Sequence, residues 1–67
     1  MARFREMRKR ANIGLSGAAS ALGVSKQAVN AWERGKNLPR ADMLMKTAAL
    51  YGCTADDLLA PESEAAQ

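Results

Sequence analysis

The sequence contains no histidine and a single cysteine, Cys53. The first absence excludes a histidine-based hydrolytic triad and every zinc site that needs histidine; the second excludes an intramolecular disulfide. Aromatic residues are limited to Phe4, Trp32 and Tyr51, and β-branched residues are few, which disfavours sheets. No apolar run approaches the ~20 residues that cross a bilayer, and no signal peptide is recognisable, so the expected location is intracellular and cytoplasmic. The five glycines, Gly14, Gly17, Gly23, Gly35 and Gly52, are scattered and form no phosphate-binding loop. Enzymatic chemistry, a metal, a cofactor and a small-molecule ligand are therefore not expected.

What is present points to a small helical binding module. Sixty-seven residues allow one domain with a modest core, and alanine supplies 14 of the 32 hydrophobic residues, which suits short helices in close contact. The net charge of +3 hides a polarity. Residues 1–40 carry nine Lys or Arg against Glu6 and Glu33, whereas residues 41–67 carry Lys46 against Asp42, Asp56, Asp57, Glu62 and Glu64. A basic half of +7 attracts a polyanion and an acidic half of −4 faces away from it.

The pattern predicts an all-α fold of five helices. The first runs from about Ala2 to Ala11 and buries Phe4, Met7 and Ala11, with Asn12 in the left-handed stop position and Ile13 entering the core. Gly14 precedes a second helix from Leu15 to Leu22. Ser25 caps a third, Lys26 to Arg34, which stops at Gly35. Pro39 holds Lys36 to Pro39 as a loop. A fourth helix follows from about Arg40 to Tyr51, burying Ala41, Leu44, Met45, Ala48 and Tyr51, and Gly52 stops it. Thr54 to Asp57 reads as a capping box opening a short fifth helix whose Leu58 and Leu59 close the core. Pro61 ends it. The expected organisation is a domain over residues 1–60 and a disordered tail over 61–67.

The second and third helices carry the most specific signal. A steep crossing over a three-residue turn needs a methyl-sized side chain at Ala19 and a residue tolerant of positive φ at Gly23. Val29 then enters the crevice among Ala18, Leu22, Val24 and Trp32. This is a helix-turn-helix pattern, whose second helix lies in the DNA major groove. With Val29 and Trp32 inward, a 100° step puts Lys26, Gln27, Asn30, Ala31 and Arg34 outward. Gln27 suits adenine N6 and N7, Lys26 suits guanine O6 and N7, and Ala31 suits a thymine methyl. Ser25 and Asn30 reach either bases or phosphates. Trp32 reads as a packing residue rather than a stacking platform.

Five blocks carry a family resemblance: Phe4-Arg-Glu-Met-Arg8, Leu22-Gly-Val-Ser-Lys-Gln27, Trp32-Glu-Arg-Gly-Lys36, Leu38-Pro39 and Tyr51-Gly-Cys-Thr-Ala-Asp-Asp-Leu-Leu59. Together they resemble the phage repressor and Cro type of helix-turn-helix protein, without a gap from about Arg3 to Leu59. The resemblance implies a compact five-helix lambda-repressor-like domain that binds a palindromic DNA operator, as a weak homodimer, and regulates transcription. It also implies phosphate contacts from Arg34, Lys36, Asn37 and Arg40. Arg8 pairs with Glu33 in such proteins, leaving the arginine edge near a phosphate; an exposed pair of this kind contributes only ~0–1 kcal/mol. Cys53 falls on a small buried apolar position.

One departure concerns Leu15, where the family commonly has Gln. Its backbone amide remains available to a phosphate at the helix N-terminus, and its side chain is expected to pack. Arg3, Arg5, Lys9 and Arg10 read as a solvated basic face. The competing class is a protein-interaction module such as an antitoxin on the same fold; an enzyme, or a first helix lying on an anionic membrane, ranks lower. Any dimer interface is expected from the fifth helix, the loop after the third, or the tail.

Overall fold

A computed structural model describes residues 3–60, which form five helices and, among the described residues, no strand. The helices are α1 (Phe4–Arg10), α2 (Leu15–Leu22), α3 (Lys26–Glu33), α4 (Ala41–Tyr51) and α5 (Ala55–Leu59). The expected helix-start residue Ala2, the Pro61 stop and the expected disordered tail lie outside the described residues. The ends shift slightly from the sequence expectation. Arg34 is the C-cap of α3, and Arg40, with extended φ −65° and ψ 163°, is the N-cap of α4 rather than its first residue.

Local chemistry explains the boundaries. The first four helices end in the same six-residue closure, in which the amide beyond the left-handed residue donates to a carbonyl five positions back. The bonds are Ile13 to Arg8, Val24 to Ala19, Lys36 to Ala31 and Cys53 to Ala48, at 2.9–3.2 Å. Each needs a positive φ at the preceding residue, supplied by Asn12 (62°), Gly23 (72°), Gly35 (76°) and Gly52 (73°). A Cβ added at Gly23 would meet nothing within 4 Å, so the glycine is required by φ and not by space. Ile13, Val24 and Cys53, just past three of these turns, fold back onto the core. The fourth, Lys36, is exposed. At the starts, the Ser25 Oγ accepts from the Ala28 amide (3.1 Å), and Thr54 and Asp57 exchange both capping-box bonds.

Phe4, Val29, Leu58 and Thr47 are the largest fully buried side chains, and Met7, Ala18, Ala19, Leu22, Trp32, Ala48 and Tyr51 complete the core. Phe4 and Trp32 tilt together at 6.1 Å between ring centroids, joining α1 to α3. The Arg3 amide donates to the Leu58 carbonyl at 2.8 Å and ties the start of α1 to α5.

Three expected core residues are corrected. Met45 is 65% exposed, Leu59 42%, and Ala41 is exposed. The inward face of α4 is defined by Thr47, Ala48 and Tyr51, with Leu44 half-buried beside them. That rotates Met45 and Ala41 toward solvent. Thr47 is tolerated in the core because its hydroxyl donates to the Met43 carbonyl one turn back, at 2.7 Å. Ala11 and Cys53 are partly rather than fully buried. Desolvation pushes the Cys53 thiol above its usual pKa, the opposite of an activated cysteine.

Candidate nucleic-acid interface

The pattern Ala19, Gly23, Val29 does what the spacing predicts. Ala19 is 4% exposed, and Val29 is fully enclosed where α2 meets α3. With Val29 and Trp32 locked inward, Lys26, Gln27, Asn30 and Arg34 are all exposed on the open side of α3. Ala31 is half-buried at the edge of that face. Ser25 is exposed at its start, with its hydroxyl oxygen already accepting the capping bond.

Beside this face lie the two segments expected to hold phosphate. Lys36, Asn37 and Arg40 are exposed along the loop from α3 to α4. The Gly35 turn aims Lys36 outward where an apolar residue would fold back. At the start of α2, Gly14 has no side chain with which to cap the helix, and Lys9, Asn12, Ile13 and Gly14 line a shallow depression there. The Leu15 side chain packs against the core, leaving only its backbone amide for a ligand.

Arg8 departs from the sequence expectation. It is 8% exposed; Nε and Nη2 donate to the two Glu33 carboxylate oxygens at 2.6 and 3.2 Å, and Nη1 donates to the Ile13 carbonyl at 2.9 Å. The pair that the resemblance implies therefore forms, and it is enclosed, with 10% and 5% of the two side chains reaching solvent. Its guanidinium joins three elements: α1, the α1–α2 turn and the end of α3. The hydrogen bonds to Glu33 raise the arginine pKa further, so the guanidinium stays charged.

Arg5, read from the sequence as a solvated charge, is solvent-exposed and also approaches Glu33. Its Nε lies 4.0 Å from Glu33 Oε1, yet its side chain is 66% exposed, so it stands beside the C-terminal end of α3 with its charge open to solvent. The spacing of three residues from Arg8 is the available signal, since it places both on one side of α1. Arg3, by contrast, is taken up by Glu6 through bonds of 2.9 and 3.0 Å.

Two short helices crossed over a left-handed glycine, the second offering polar side chains on an open face and followed by a cationic loop, define a DNA-binding helix-turn-helix regulator. A family model described as helix-turn-helix matches residues 4–58, and the chain belongs to that family, in its lambda-repressor and Cro-like form. No curated protein matches the chain significantly. No helix among the described residues is long and apolar enough to cross a membrane, and no cluster of metal-ligating side chains occurs among them.

Proposed function

We propose that this protein is a phage or prophage repressor or Cro-like regulator that reads a palindromic operator with α3 in the major groove, two copies binding per site. The observation that carries this reading is the exposed face of Lys26, Gln27, Asn30 and Arg34 on a helix held by an enclosed ion pair. A recognition helix must be rigid before it can discriminate bases, because a mobile one loses the geometry of paired hydrogen bonds.

In this reading Gln27 and Lys26 contact purine edges, Ala31 meets a thymine methyl, and Ser25 and Asn30 contribute polar contacts at the groove. Arg34, Lys36, Asn37, Arg40 and the Leu15 amide hold phosphates and set the register of the helix. Arg8 acts through Glu33 as a positioning residue, and Arg5 takes the phosphate-facing part that an open Arg8 edge would play.

Selection of bound sequences from a random duplex pool tests the proposal. The expected product is an inverted repeat with half-sites about 34–36 Å apart. Recovery of no preferred sequence would overturn it.

A further inference from the structure

The side of α4 turned away from the core is unusually apolar for an exposed helix face. Met45 is 65% exposed, Ala41 and Ala49 lie one turn to either side of it in the open, and Leu38, just before the helix, is 59% exposed. The stripe is flanked by one charge of each sign, Asp42 and Lys46, both of which reach solvent. Asp42 accepts from the Met43 amide through Oδ1 at 2.9 Å, which leaves its second oxygen open. Beside this face, Val24, Ala28, Trp32, Pro39 and Met43 line an apolar groove with Leu38 on its rim.

We infer that this face of α4 is a self-association surface whose occupant is the same face of a second copy, a proposal that rests on the two-copy regulator reading. A two-fold contact must be self-complementary, since each residue meets its counterpart's partner. The face meets that condition in both shape and charge. Two α4 helices laid antiparallel about Met45 set methionine against methionine and Ala41 against Ala49, small residues that let the helices approach. The same arrangement brings Asp42 of each copy within a turn of Lys46 on the other. A partner of one charge sign would leave either Asp42 or Lys46 opposed by its like, whereas a second copy satisfies both. The surface differs from those the sequence suggests, because periodicity alone places Met45 in the core.

The test is sedimentation equilibrium of the full chain without DNA, together with Met45→Glu, Asp42→Lys, Lys46→Asp and the double charge exchange. The parent should dimerise, Met45→Glu should raise the dimer dissociation constant at least about tenfold, a change of about 1.4 kcal/mol, and each single charge change should weaken association. The double exchange should restore it toward the parent. Circular dichroism establishes that each variant is folded, and the exposed positions make that the expected result. A parent that stays monomeric at all concentrations, or Met45→Glu that dimerises like the parent, would overturn the inference, as would an exchange no better than its singles. Binding to a duplex carrying one half-site separates the two readings. Met45→Glu should bind that half-site as the parent does and lose affinity only for the inverted repeat. If the parent dimerises as described but binds no duplex, the regulator reading fails and the α4 surface stands.

Discussion

Arg8 and Glu33, 25 residues apart in the chain, meet in a two-pronged ion pair from which solvent is nearly excluded. The pair lies at the C-terminal end of α3, so it couples the orientation of α3 to α1 and to the turn that leads into α2.

Arg8→Ala or Glu33→Ala should cost about 3–5 kcal/mol, because each leaves an enclosed charge without its partner. Replacing both residues with apolar side chains of similar size should be much milder for stability and should still weaken specific DNA binding. Urea unfolding measures the first effect and duplex titration the second. A single variant that unfolds like the parent would show that the pair contributes no more than a surface one.

Tyr51 gives the chain a signature in base. Its hydroxyl is enclosed with no hydrogen-bond partner, and burial, followed by the negative charge of Glu33, pushes its pKa from 10.0 to about 12. The folded state therefore holds the phenol proton more tightly than the unfolded state. The associated stability is fully present below pH 10 and is lost as pH rises through about 12. Tyr51 is the sole tyrosine, so phenolate absorbance reports it alone. Tyr51→Phe should fold at least as well at neutral pH, since it removes an unpartnered hydroxyl, and should lose less stability across that alkaline range. A phenolate titration unchanged by denaturant would contradict the assignment.

Ala19→Leu should destabilise by about 1–3 kcal/mol, by overpacking a buried site and forcing α2 and α3 apart. Thermal unfolding checks the effect. A variant that melts with the parent and binds the same DNA would mean that the helix crossing does not depend on a methyl-sized side chain.

Lys36→Ala and Arg40→Ala should weaken selected and random duplexes alike and lower the slope of log K against log salt by ~0.9 for each phosphate no longer neutralised. Gln27→Ala should instead reduce discrimination by about 1–3 kcal/mol at one base pair per half-site, with random DNA bound nearly as before. Equal weakening on every duplex for all three variants would leave α3 without a reading role.

The parts of this protein legible in its sequence are those decided within a few residues. Gly23, Gly35, Gly52 and Asn12 mark helix stops because a left-handed turn excludes most other side chains, and Ser25 and Thr54 mark starts because their oxygens satisfy local amides. The spacing of Ala19, Gly23 and Val29 implies the helix crossing, and the outward polar face of α3 follows once Val29 and Trp32 are fixed inward. Along α4 periodicity gives an orientation that is wrong at Ala41 and Met45. Eight of its eleven residues are apolar, so a neighbouring face with Thr47 inward fits the pattern nearly as well. Only packing against α1, α2 and α5 turned Thr47 inward and Met45 outward. The enclosure of Arg8 with Glu33 and the approach of Arg5 to the same carboxylate were likewise decided in three dimensions. An isolated charge in a sequence carries no record of how much water surrounds it, and here that water is removed by elements brought together from opposite ends of the α1–α3 segment.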